Sequence, residues 1–164
     1  MAYLVSGNPG AGKSTLTAEL VRRGVRALDS DAVDGLAAFM DASGAVVGDH
    51  TLPVTPELLA DFYWGWSAAR LDDVLDELGS DGVLLGIAVN QWDFTDRFDR
   101  LVLLELDEAT QHDRVLTRHP LDRQQIAAGL PVMQAQMIER GAARIDARQP
   151  TATVADELQA LLGL

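Results

Sequence analysis

Short apolar runs alternate with longer mixed stretches along the chain, and glycine or aspartate closes most of the runs. Tyr3-Leu4-Val5 is the first and ends at Gly7; residues 25–28 are the second and end at Asp29-Ser30-Asp31. Residues 83–87, 101–106 and 143–146 are the third, fourth and fifth. Each reads as a buried strand, because a strand covered on both faces shows no polar side. The stretches between them read as helices: 13–23, stopped by Gly24; 33–40; 55–78, opened by a capping Thr55 with Pro56 at the first helical position; 107–118; about 123–140; and 153–162, with Thr153 and Asp156 at capping-box spacing. Residues 42–53, rich in small residues, read as a loop or small flap, 90–97 as a loop or short helix, and 119–122 as a loop. Strands alternating with helices predict parallel strands joined by right-handed crossovers, hence an α/β sandwich, here as one domain over residues 1–164.

Composition narrows the function classes. The formal net charge is −12 and Lys13 is the sole lysine. Nucleic-acid binding rests on neutralising phosphates with Lys and Arg, so DNA and RNA are not expected as main partners. No apolar segment approaches the length of a membrane span, which predicts no membrane partner. The start runs straight into a strand, with no basic leader. Cysteine is absent, which removes disulfides and thiolate metal sites. A cytoplasmic enzyme is the simplest expectation; oligomeric state is not legible.

One motif carries specific chemistry. Gly7-Asn8-Pro9-Gly10-Ala11-Gly12-Lys13-Ser14 matches G-x-x-x-x-G-K-[ST] at every fixed position. The glycines allow backbone angles that other residues resist and let the chain approach phosphate closely. Successive N–H groups can then form an anion nest, and the helix opening at Lys13 adds its positive dipole end. Lys13 is expected on the β- and γ-phosphates and the Ser14 hydroxyl on Mg2+. Thr15, grouped with the nucleotide-binding residues, reads as a helix residue rather than a second metal ligand. A chance Gly-rich turn is the bland alternative, but the strand before and helix after argue against it. A nucleoside triphosphate, ATP or GTP, with Mg2+ is therefore the expected ligand.

The class of nucleotide protein needs further residues. Asn90-Gln91-Trp92-Asp93 superficially resembles a guanine-recognition motif, but it lacks the lysine and follows the wrong strand. The third strand ends at Gly86 rather than at an acid, so a metal-side carboxylate must come from Asp29 or Asp31.

The phosphate loop, Asp29-Ser30-Asp31 after the second strand and a third strand ending in Gly86 together resemble the small-molecule kinases of the nucleoside monophosphate kinase superfamily, with shikimate and gluconate kinases as familiar members. Asn90-Gln91, Phe98-Asp99, Leu103-Leu104, Arg114, Arg118, Ile145-Asp146-Ala147 and Pro150 are similar to a group of short bacterial P-loop kinases, some described as AAA-family ATPases. The resemblance spans almost the whole chain. It implies a three-layer sandwich on a five-stranded parallel sheet of order 2-3-1-4-5, an acceptor-binding region at about 31–80 and a short lid at about 118–125. It also implies phosphoryl transfer from ATP in the crevice at the carboxyl ends of the strands.

The resemblance assigns roles by position. Asp29 would hold a Mg2+-bound water, and Asp31 would orient or deprotonate an acceptor hydroxyl; Asp31 could instead only cap the helix after it. Arg118 and Arg123 are the lid candidates, with Arg118 clamping the transferring group, and Arg114 could stack on adenine. Arg148 or Gln149, after the fifth strand, would contact the base. From the residues themselves, Trp66 and Arg70 lie four apart on the predicted helix and could reach one acceptor. Trp64 and Trp92 could face it too, although one tryptophan of Trp64 and Trp66 is expected in the core. Asn90 and Gln91 offer amides to a polyol or nucleoside, or Asn90 braces the loop. His50, His112 and His119 have no metal-ligand spacing and read as surface residues.

The leading expectation is an ATP- and Mg2+-dependent kinase of a small hydroxylated metabolite: a nucleoside, a sugar or a shikimate-like compound. A nucleoside monophosphate kinase is second, because residues 31–80 hold only Arg70 as a cation. A nucleotide-dependent switch or ATPase module without an acceptor is the rival from another class.

Overall fold

Five apolar runs pair side by side into a parallel sheet: β1 (Ala2–Ser6), β2 (Ala27–Asp29), β6 (Val83–Gly86), β7 (Phe98–Glu105) and β8 (Ala143–Asp146). The computed structural model describes residues 1–164 apart from Val54, His119 and the side chains of Asp122 and Gln125. The sheet order is β2-β6-β1-β7-β8. Counted over these parallel strands alone, that is 2-3-1-4-5.

Side chains leave the central strands with a period of two. Val5, Val83, Leu85, Val102 and Leu104 face α1 (Lys13–Arg22) and α6 (Thr151–Leu162), packing on Leu16, Leu20, Val154 and Leu158. Leu4 and Leu84 face the other way, onto Leu71, Val74 and Leu78 of α3 (Ala68–Leu78). On that second side Leu103 meets Met133 and Met137 of α5 (Pro120–Glu139). Helices on both faces of the sheet make three layers. Among the described residues, no helix is long and apolar enough to cross a membrane.

The largest departure from the sequence reading lies between β2 and α3. Residues 33–40 were expected to be helical; instead Ala37–Met40 is a strand, β3. The expected helix over 55–78 is split into α2 (Pro56–Asp61), a strand β5 (Tyr63–Trp66) and α3. With β4 (Val46–Gly48) these strands form a separate antiparallel sheet of order β4-β3-β5. Pairing overrides local preference here: the helix-favouring Ala37 and Ala38 sit opposite Trp66 and Gly65. Gly65 is needed because a Cβ there would meet the Tyr63 ring at 2.7 Å and Met40 Sδ at 2.9 Å.

Smaller differences have local causes. Thr55 and Asp107 cap α2 and α4 (Glu108–Arg114) as expected, accepting from Leu58 N and Thr110 N. The Thr153–Asp156 capping box does not form: α6 starts two residues earlier, and Asp156 pairs with Arg23, just past the end of α1, at 2.5 Å. Residues 91–97 are a 3-10 helix. Pro120 already belongs to α5, so most of the expected lid at 118–125 is the first turns of a long helix. The expectation for His119 lies outside the described residues.

Candidate active site

The phosphate loop turns between β1 and α1. Gly10 and Gly12 have φ of 93° and 85°, the left-handed region that glycine enters without strain. Gly7 is required for a different reason: a Cβ there would lie 2.9 Å from Leu104 Cβ and 3.0 Å from the Leu104 carbonyl oxygen. The loop therefore presses directly on β7. Lys13 is buried, and its Nζ donates to the Gly7 and Asn8 carbonyls. Burial lowers its pKa to about 8; Asp31 and Asp29 pull it back up, and Arg118 pushes it down. The only lysine thus sits half-compensated, where a phosphate would stabilise its charge.

The loop borders a cavity of about 810 Å3. Gly10, Ala11, Gly12, Lys13, Ser14 and Thr15 line its floor, and Asp31 also lines it. Asp29 does the capping that was considered for Asp31: its Oδ1 accepts from Asp31 N at 3.0 Å at the head of the 3-10 turn Ser30–Ala32. That leaves the Asp31 carboxylate exposed, with Oδ1 accepting from Trp64 Nε1 at 3.2 Å. Asp29 is near enough to act on Lys13 but does not line the cavity.

Gly86 explains why this strand end carries no acid. A Cβ there would stand 2.1 Å from Ser30 Oγ and 2.9 Å from the Trp66 ring. The strand end is closed by its neighbours.

Arg114 joins the phosphate loop to the turn after β8. Its Nη1 donates to the Gly10 carbonyl at 3.0 Å and the Ala147 carbonyl at 2.9 Å. Arg114, Arg118, Ala147 and Gln149 all line the cavity. Gln149 Nε2 also donates to Glu157 Oε1 at 3.0 Å. Arg148 does not line it: its guanidinium is held by Asp146 at 2.8 Å and Asp107 at 3.2 Å, an arrangement that raises its pKa and lowers that of Asp146 to about 2. Arg148 is thus corrected from a base contact to a strut between β8 and the start of α4. Arg123 does not line the cavity either, and its Nε is buried without a hydrogen-bond partner.

No protein-family model and no curated protein matches the chain. Solved structures do. A deoxyadenosine kinase from M. mycoides, with bound dATP, superposes at a TM-score of 0.54 with 13% identity, covering 100% of both chains. The fold is that of the P-loop kinases. A gluconokinase from Sinorhizobium meliloti 1021 superposes at the same TM-score with 17% identity, covering 99% of this chain and 91% of the other. At such identities the likeness concerns the P-loop kinase fold alone.

The acceptor-side residues need the most correction. Trp66 is core: it is 1% exposed and packs with Leu36, Leu71 and Leu84, leaving its Nε1 without a partner. Trp66 and Arg70 do not share a helix face, because β5 ends at Trp66 and α3 starts at Ala68. Arg70 turns to the Asp34 carbonyl and to Glu77. Asn90 braces, its amide pairing with both Trp66 N and Trp66 O at 2.8 and 2.9 Å. Gln91 is buried and accepts from Ser6 Oγ at 2.9 Å. None of these four lines the cavity. Trp92 lies against Arg140, its ring 4.4 Å from the guanidinium carbon.

In their place the small sheet supplies Phe39 and Trp64, a directly opposed pair whose rings meet edge-on at 5.1 Å. His50, Leu52, Leu59 and Val89 complete that wall. His50 was read as a surface residue; it is exposed, yet it borders the cavity. The signal for this wall was the aromatic run Phe62-Tyr63-Trp64-Gly65-Trp66, which suits a strand better than a helix.

Proposed function

We propose that the chain transfers the γ-phosphoryl group of ATP, in the presence of Mg2+, to a hydroxyl of a small acceptor held against the small sheet. The observation that carries this reading is that Lys13 and Asp31 line one cavity, near enough for the carboxylate to act on the ammonium group. Phosphoryl transfer needs cations around the moving group and a base near the attacking hydroxyl.

The loop amides and Lys13 would hold the β- and γ-phosphates, and Arg118 would stand at the same end of the cavity. Arg114, Ala147 and Gln149 would border the base. The acceptor oxygen attacks the γ-phosphorus, the bond from that phosphorus to its bridging oxygen breaks, and ADP leaves with the electron pair. The acceptor hydroxyl proton passes to the Asp31 carboxylate, which Trp64 Nε1 orients.

The residues fit a magnesium ion that arrives with the nucleotide. Ser14 offers a hydroxyl at the cavity floor, and Asp29 keeps one carboxylate oxygen beyond the one that accepts from Asp31 N. Among the described residues, no group of three or more acidic or histidine side chains could cage a metal. That accords with a metal that keeps its waters and takes most ligands from phosphates. When bound, Mg2+ would neutralise charge on the phosphate oxygens.

The test is incubation with Mg-ATP and a panel of hydroxylated metabolites, read by mass spectrometry for a compound that gains a phosphate. Asp31→Asn should lower kcat about a hundredfold while ATP affinity stays within about threefold. Phosphate release at an unchanged rate without any acceptor would replace this reading with that of an ATPase module.

A further inference from the structure

We propose that the acceptor is an uncharged alcohol with a flat, apolar body, and that the lobe carrying β3, β4, α2 and β5 excludes acceptors bearing a phosphate or carboxylate. The inference rests on the phosphotransferase reading and names the substrate class of that same site.

Two independent observations support it. The first is the wall itself. Phe39 and Trp64 present an edge-on aromatic pair, and Leu52, Leu59 and Val89 extend the apolar surface around it. A flat apolar body gains burial against such a surface, while a heavily hydrated polyol would lose water without replacement partners.

The second is charge. Residues 31–66 contain Asp31, Asp34, Asp41, Asp49, Glu57 and Asp61, and no lysine or arginine. The negative charge is persistent. Asp41 is held below the ordinary carboxylate range by the Ser43 hydroxyl and by backbone amides at 43 and 45, and Asp49 by the Thr51 hydroxyl and amide. His50 is the one side chain of that stretch that could carry a positive charge. The cationic side chains that do line the cavity are Lys13, Arg114 and Arg118, all outside the lobe. Lys13 belongs to the phosphate loop, and Arg114 is engaged by two carbonyls. Arg70, the nearest arginine in sequence, faces Asp34 and Glu77 instead. A second anion beside a triphosphate would therefore meet Asp31 and hydrocarbon at the cavity wall, in the field of the lobe's other carboxylates, with His50 as the one lobe side chain able to carry a positive charge. Like-charge juxtaposition of that kind discriminates strongly between otherwise similar ligands.

The decisive experiment pairs acceptors that differ mainly in charge: nucleosides against their 5′-monophosphates, and aromatic alcohols against the same compounds carrying a carboxylate. Product is read by mass spectrometry with the wild-type chain and Mg-ATP, and ATP binding is measured in parallel by calorimetry. The expected result is transfer to neutral members, with kcat/KM at least about tenfold above that for their anionic counterparts. Leu59→Arg, which adds a cation to the cavity wall, should narrow that ratio, while ATP affinity remains unchanged. Equal or better transfer to the anionic members overturns the charge inference and leaves the kinase reading standing. Preference for a cationic amino alcohol also overturns it. ATP binding with no product from any class overturns both readings together.

Discussion

The floor of the cavity is formed by one unbroken segment, residues 9–16 of the phosphate loop and the start of α1, and acts largely through its backbone. The facing wall draws Phe39, His50, Leu52, Leu59, Trp64 and Val89 from separate stretches and acts through side chains. The floor is stiff because each turn has a local reason: left-handed glycines at 10 and 12, and a Cβ-free contact between Gly7 and β7. The wall depends on strand pairing between β3 and β5. A backbone cradle fixes what all donors share, the triphosphate; a side-chain wall can vary with the acceptor. Loss of the floor should thus abolish chemistry, while changes in the wall should retune it.

The sharpest test of that division is Lys13→Met. Transfer should fall on the order of a thousandfold or more if Lys13 is the cation at the moving group, as proposed. The same variant has a signature in pH. Burial holds the folded pKa of Lys13 at about 8, below the ordinary lysine value of 10.5. Between those values the unfolded chain binds more protons than the folded one, so this group makes stability rise with pH across that window. The difference is worth about 3 kcal/mol at most. Urea midpoints of the wild type should climb relative to those of Lys13→Met from pH 8 to 10.5. A constant gap between the two would mean that Lys13 is not desolvated.

A next smaller effect is expected at the seam between floor and wall. Gly86→Ala would drive a methyl group into Ser30 and Trp66 and should destabilise the fold by about 1–3 kcal/mol, measured by denaturant unfolding. Smallest of all, Trp64→Phe keeps an aromatic ring but removes the donor to Asp31. Steady-state kinetics should show kcat reduced about threefold to tenfold, with KM for ATP unaffected. If KM for ATP moved as much as kcat, floor and wall would not be separable.

What could be read in advance follows the same division. The parallel strands were legible because strands buried on both faces leave continuous apolar runs, as in Val83-Leu84-Leu85. The phosphate loop was legible because its chemistry is contiguous. The small sheet was not. Ala37-Ala38-Phe39-Met40 carries a helix-favouring composition, and only its partner Tyr63–Trp66, more than twenty residues on, makes it a strand. Asp31, singled out by its position after β2, does line the cavity, whereas Trp66, Arg70, Asn90 and Gln91 do not, because nearness in sequence stood in for nearness to the cavity. Arg148 was drawn away by two carboxylates, Asp146 two residues before it and Asp107 at the head of α4, distant in sequence.

Asn90 grips both the amide and the carbonyl of Trp66, and Val89 N donates to the Trp64 carbonyl at 2.8 Å. The loop after β6 therefore sews β5 to the parallel sheet as an added strand would. Trp66, on the same face as Trp64 and Phe39, drives the seam into the core. The aromatic wall is thus tied to the sheet that also carries the phosphate loop. If that wall receives the acceptor as proposed, the gap between wall and loop in the resting shape bounds the size of acceptor that fits.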